Sequence, residues 1–378
     1  MPDSTRNSKS ANRRSFIKKG LTAGAVGGGL AMLSEPMKAF NFDTSTLQSG
    51  GLSKGDAALL RFAAAAETLE ADFWIQYNEL GGIQDDEVKG GSGNPVYTAK
   101  LSLLDGDFPQ YIHDNTDDEI THAAFLNAYL RAKGAAGVNL ESFRTLPGSR
   151  ATGSSGIARL TNLTQLTLDT SWYTRYRDDS HNPDLDPNFV FPQAVPDLNK
   201  GQFTAIPITD DDLVPDDHIQ AIANTAAFHM PTIEQGGNSL YPSLAQRASS
   251  VEVLRILISI GPTETMHFQT WSDVATSAVS DPHAPLTDPT NGLTFPDLNS
   301  SPFGGEEFTT NLIMPEPCPF LSRKLPRCSV IRPTETRGAA MAVVRFLTSM
   351  GLFIGQSNQF MELMRQLATQ ADAAQREC

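Results

Sequence analysis

Two stretches of this 378-residue chain repeat one chemical unit, Glu119-Ile-Thr-His122 and Glu264-Thr-Met-His267. Three positions apart on a helix, a carboxylate and an imidazole share one face about one turn apart, so both can reach the same cation. Sixteen glutamates and seven histidines would give about 0.3 such pairs by chance, so the repeat needs context before it carries weight. Glu67 supplies it. The residue sits among Ala63, Ala66 and Trp74, on an apolar helical face where a lone carboxylate is costly unless it is paired or metal-bound. Glu70, one turn further on, reads as a solvated or supporting carboxylate.

These residues need helices to hold them. Apolar positions recur at three and four spacing from Lys54 to about Tyr77. A second segment is expected from Thr116, whose hydroxyl with Glu119 reads as a capping box, to Lys133, before Gly134. Further helices are expected at 156–176, 216–228, 244–276 with a kink at Pro262, and 335–372. The connections at 80–115, 177–215 and 277–332 carry most of the prolines and have room for short strands.

The helix order is one lone acid, one Glu-x-x-His, a third helix and a second Glu-x-x-His, which is the order of ferritin-like carboxylate bundles. Ala66-Glu67-Thr-Leu-Glu70-Ala-Asp-Phe73-Trp74, Asp118-Glu119-Ile-Thr-His122-Ala-Ala-Phe125 and the segment Glu264 to Trp271 together resemble the ferritin-like superfamily. Within it, the chain is similar to the twin-arginine-exported branch and the desiccation-related proteins. The resemblance implies an all-α four-helix bundle over 54–275 with long irregular insertions, an irregular Pro-rich segment at 276–334 and an extra C-terminal helix at 335–378. It also implies two iron or manganese ions held by Glu67, Glu119, His122, Asp169, Glu264 and His267. Asp169 is the departure, because the family has a glutamate on the third helix and aspartate is one methylene shorter. The implied chemistry is oxidation of ferrous iron or removal of peroxide, with metal ions or a small-molecule oxidant as partners. The competing reading is a non-catalytic stress, desiccation-related or structural protein whose site has degraded at Asp169.

The N-terminus carries Ser10-Ala-Asn-Arg13-Arg14-Ser-Phe16-Ile-Lys18 ahead of a Gly/Ala-rich apolar stretch. It resembles a twin-arginine export signal over 1–39, which implies the twin-arginine machinery as a partner and a periplasmic or secreted destination. The stretch is too short and glycine-rich to span a bilayer. Without those 39 residues the chain holds 22 basic and 41 acidic residues, a net charge of −19. Such a body repels phosphate backbones and anionic lipid, so nucleic acid and membrane surfaces are poor partners. The cysteines are Cys318, Cys328 and Cys378. Their spacing excludes a thiolate zinc site and permits a Cys318–Cys328 disulfide in an oxidising compartment. Asp184-Leu-Asp186-Pro-Asn188 imitates a calcium loop, but Phe189 and Val195 stand where glycine and glutamate are required.

Overall fold

A computed structural model describes residues 51–85, 90–178, 181, 188–299, 314–316, 324, 328–330 and 337–377. Arg13, Arg14, Cys318 and Cys378 lie outside these residues, and so does the side chain of Cys328.

Four long helices make the core. The first, α1 (Lys54–Gly81), is started by Ser53, whose side chain accepts from the Asp56 amide at 3.0 Å. A short α2 (Pro95–Leu104) leads to α3 (Phe108–Ala132). The brief α4 (Ser171–Arg175) precedes the two remaining core helices, α5 (Asp216–Ala245) and α6 (Val251–Ser277). The fold is therefore all-α. Helix α1 lies against α3, and α5 against α6. Antiparallel pairs β1 (Leu286–Thr287) with β2 (Thr294–Phe295), and β3 (Met314–Glu316) with β4 (Cys328–Val330), are the paired strands among the described residues. Helices α7 (Ala339–Ser349) and α8 (Asn358–Ala373) then pack on α5 and α1 respectively.

Several boundaries differ from the sequence expectation, each for a physical reason. Helix α3 begins at Phe108, eight residues before Thr116, because Pro109 is tolerated in a first turn where its missing N–H costs nothing. Thr116 is thus mid-helix and its hydroxyl donates to the Ile112 carbonyl at 2.7 Å. Glu119 takes no part in a cap and is left for the interior.

The expected helix at 156–176 shrinks to α4. The chain before it is rich in Thr, Ser and Asn, whose side chains satisfy backbone groups locally and compete with helix formation. The Asn162 carboxamide oxygen accepts from the Thr164 amide at 2.8 Å, and buried Asp72 on α1 accepts from the amides of Leu160 and Thr161, each at 2.9 Å. The third bundle helix is instead α5, which runs on past Phe228 through Pro231 to Ala245. Burial on nearly all faces holds it together across the proline, since every alternative leaves apolar surface exposed.

Helix α6 starts at Val251 rather than Leu244, because the Asp56 carboxylate takes the Ser249 and Ser250 amides at 2.9 and 3.0 Å and fixes a turn there. It passes through Pro262 as one helix. The C-terminal segment is two helices, separated where Gly351 and Gly355 both take φ +92°, a conformation that side-chain-bearing residues rarely adopt. No helix among the described residues is long and apolar enough to cross a membrane.

Candidate metal centre

The interior face of each core helix contributes an acid. Glu67 (α1), Glu119 (α3), Glu234 (α5) and Glu264 (α6) are all 0 % exposed. Their carboxylates meet His122 and His267, one turn after Glu119 and Glu264. His122 Nδ1 lies 3.1 Å from Glu119 Oε2, 3.3 Å from Glu67 Oε2 and 3.6 Å from Glu264 Oε1. His267 Nδ1 lies 3.2 Å from Glu119 Oε1 and 3.3 Å from Glu234 Oε2.

The donors form two groups, Glu67-Glu119-His122-Glu264 and Glu119-Glu234-Glu264-His267, with the ligand atoms of each within 4.8 Å of one another. Glu119 and Glu264 belong to both, so they stand where bridging carboxylates would. Each histidine presents Nδ1 inward and uses Nε2 outward. His267 Nε2 meets Asp118 Oδ2 at 2.9 Å and His122 Nε2 meets the Thr263 hydroxyl at 3.4 Å.

A network of donors fixes the acids. Asn115 Nδ2 donates to Glu119 Oε1 at 3.0 Å and to Glu234 Oε1 at 3.1 Å. Trp74 Nε1 donates to Glu234 Oε1 at 3.1 Å, and Trp271 Nε1 holds Asn115 by its carbonyl oxygen at 2.7 Å. The two indoles stack with centroids 5.2 Å apart. The Tyr241 hydroxyl donates to Glu67 Oε1. Gly237 makes room, because a Cβ built there would stand 2.6 Å from Glu264 Oε2.

After these bonds, Glu67 Oε2, Glu234 Oε2 and both oxygens of Glu264 remain buried without a hydrogen bond. Orphaned buried carboxylate oxygens are costly unless a cation meets them. Four carboxylates against two imidazoles is also a donor set that suits iron or manganese. The residues fit the metal pair.

Without metal, protons and imidazolium charge carry the balance. Burial, with repulsion from Glu119, pushes Glu67 up to about 8. Burial and the Glu119 charge likewise hold Glu264 well above the carboxylate range. Burial acts upward on Glu119 too, but hydrogen bonds with His122 and His267 outweigh it and bring Glu119 below the ordinary range. Burial would lower His122, yet Glu119 and Glu67 overcome it and raise the ring to about 10.

Of the six ligands expected from sequence, Glu67, Glu119, His122, Glu264 and His267 come together and Asp169 does not. Asp169 stands exposed two residues before α4, where Oδ1 accepts from the Ser171 amide at 2.9 Å and from Gln193 Nε2 at 2.8 Å. The third-helix acid is Glu234. A signal for it was present, because Tyr241 follows Glu234 by seven residues as Trp74 follows Glu67 and Trp271 follows Glu264. Glu70, partly buried, belongs to neither donor group and borders a cavity between α1, α5 and α7. His229, expected at a helix end, lies inside α5 with Nδ1 2.7 Å from the Tyr77 hydroxyl, and burial lowers it to about 3.

No curated protein and no solved structure matches the chain. The ferritin-like domain family matches residues 55–277, more than half of the sequence and the stretch that spans all four core helices. The chain belongs to the ferritin-like domain family.

Proposed function

We propose that this protein holds two iron or manganese ions between its four core helices and uses them to oxidise ferrous iron or to remove peroxide. The observation that carries the reading is the set of buried carboxylate oxygens without hydrogen bonds, shared between two donor groups that have Glu119 and Glu264 in common. Carboxylates neutralise dication charge, and two neutral imidazoles complete the donors. When bound, the metals would supply electron transfer to dioxygen or peroxide. The chain's own part is to orient the donors: Asn115 and Trp74 fix Glu234, Tyr241 fixes Glu67, and Asp118 sets His267. The competing non-catalytic reading drew its support from Asp169 as a defective ligand, and Glu234 in the third helix removes that support.

Export through the twin-arginine pathway belongs to the same proposal, on the strength of Arg13-Arg14, Phe16 and Lys18. A route that carries folded proteins suits a protein loaded with metal before transport. Two measurements test the proposal. Protein reconstituted with ferrous or manganous ion and freed of excess should retain about two ions per chain, and an empty chain would end the metal reading. Arg13→Lys with Arg14→Lys should hold the protein in the cytoplasm, and unchanged export would end the targeting reading.

A further inference from the structure

His229 on α5 is wholly buried, and its Nε2 has no hydrogen-bond partner among the described residues. Its Nδ1 stands 2.7 Å from the hydroxyl of Tyr77 on α1, which is equally buried. Counting donors fixes the tautomer. With the proton on Nδ1, the Tyr77 O–H would lack an acceptor and Nε2 a donor; with the proton on Nε2, only that N–H is left over. Orphaned buried polar groups are costly, so Tyr77 donates and Nδ1 accepts. Burial pulls the imidazole down to about 3 and so keeps it neutral. Apolar side chains of the same shape would fill this space with no orphan at all. A phenol that points its proton at an unprotonated ring in a dry interior therefore calls for a chemical reason.

Aromatic rings join this pair to the metal centre. Trp74, whose indole donates to Glu234 Oε1, lies 5.7 Å from Tyr77 between ring centroids. On its other side Trp74 stacks on Trp271 at 5.2 Å, and Trp271 meets the partly exposed Tyr111 edge-on at 6.1 Å. Packed indole and phenol rings pass single electrons readily. A phenol gives one up easily only where its proton has a base to go to. Tyr97, a buried neighbour of Tyr77, donates instead to the Ala205 carbonyl at 2.6 Å, which takes no proton. Tyr241 faces Glu67, a carboxylate that a bound cation would engage. Tyr77 is the phenol that has both an indole beside it and a neutral imidazole on its hydroxyl.

We propose that Tyr77 and His229 form a proton-coupled redox pair, which receives through Trp74 an oxidising equivalent that ferrous iron has not consumed. The source of that equivalent rests on the metal reading, with dioxygen or peroxide as the oxidant. One electron and one proton move. The electron passes from Tyr77 to the oxidised Trp74 indole and restores it; the Tyr77 O–H bond breaks, and its proton forms an N–H bond at His229 Nδ1. The products are a neutral phenoxyl radical and an imidazolium, and one electron from any reductant reverses the step. An oxidised phenol is so strong an acid that even this imidazole takes its proton. Burial of both residues shields the radical from solvent, and oxidation comes to rest away from the ligating histidines.

Electron paramagnetic resonance reads the radical directly. The full, metal-free chain, illuminated with ruthenium tris(bipyridine) and persulfate and then frozen, should show a tyrosyl signal. Ring-deuterated tyrosine should narrow it, and heavy water should remove one strong exchangeable-proton coupling, that of the His229 N–H. These two measurements need no substitution and stand even if a variant fails to fold. Tyr77→Phe should abolish the coupled signal. His229→Asn keeps an acceptor but takes no proton, so radical formation should slow by about 100-fold or more. The ferrous-loaded chain mixed with peroxide should give the same signal, and its absence from a chain that holds metal would overturn the link to the centre. A signal kept in Tyr77→Phe and lost in Tyr111→Phe, or an unchanged rate in His229→Asn, would overturn the pair. The illuminated sample contains no metal, so failure of the metal reading leaves its outcome untouched, and a missing signal there would sink the pair even in a chain that loads fully.

Discussion

The α1/α3 half of the centre presents Glu67, Glu119 and His122, and the α5/α6 half presents Glu234, Glu264 and His267, yet the two halves are held differently. Glu234 Oε1 receives both the Trp74 indole and the Asn115 amide, and His267 is pinned from outside by Asp118. Glu67 depends on one phenol from α5, and His122 has only a long contact to Thr263 behind it. Equal donor sets thus differ in preorganisation. The α5/α6 position should hold its ion more tightly, because less ordering is left to be done when the ion arrives.

The largest expected effect comes from the shared acids. Glu119→Ala or Glu264→Ala removes a donor from both groups, so bound metal should fall from about two ions to nearly none. The metal-dependent stabilisation should vanish with it, about 3–4 kcal/mol at free metal 100 to 1,000 times Kd. Melting curves with and without chelator read this, and full metal content in either variant would show that the shared position is not a bridge.

Next comes pH. Glu67 keeps its proton up to about pH 8 and His122 up to about pH 10 in the metal-free protein. Metal binds the deprotonated donors, so loading at neutral pH must expel protons. Apparent affinity should rise steeply with pH up to about 8, where Glu67 gives up its proton, and less steeply from there to about 10, where His122 does. Titration in weak buffer counts the protons, and a pH-independent affinity would contradict the charge balance given above.

The asymmetry itself is tested by Asp118→Asn against Thr263→Val. Loss of the partner behind a ligating histidine costs about 10–100-fold in affinity. Asp118→Asn should loosen one ion of the two by that factor, and Thr263→Val should change the other less. Equal losses would erase the distinction between the halves. Tyr241→Phe should act on the α1/α3 ion alone, with about 1 kcal/mol of stability lost from the buried bond to Glu67.

Asp169→Ala makes the smallest change. It removes exposed bonds to the Ser171 amide and to Gln193, together worth about 1 kcal/mol, and metal content should not move. A drop in metal content would return Asp169 to the centre.

Five of the six gathered donors were legible in sequence because the Glu-x-x-His unit marks two helices and Glu67 stands between alanines and Trp74. Glu67, Glu119 and Glu264 each stood out as a carboxylate in an apolar stripe. Glu234 did not, since Gly237 rather than a histidine follows it at three positions, and Pro231, Gly236 and Gly237 read as helix breakers. Those features are what the interior requires, as Gly237 gives Glu264 its space. The stretch from Gly156 to Thr170, expected to be helical, is not, and for a different reason. It is shaped by long-range polar bonds, such as the buried Arg159–Glu79 pair and the Asp72 carboxylate, and these leave no periodic trace. The C-terminal region kept its helical character but hid its break at Gly351 and Gly355.

The donors run from Glu67 on the first core helix to His267 on the last, and the turn before that last helix is tied back to Asp56 at the start of the first. No nascent chain can gather both donor groups until α6 has been made and has closed on α1. Metal retention is therefore a late event in the life of the molecule, and a fragment ending before α6 lacks the shared donor Glu264 and with it both complete groups. An ion held at this centre certifies that all four core helices are made and closed on one another.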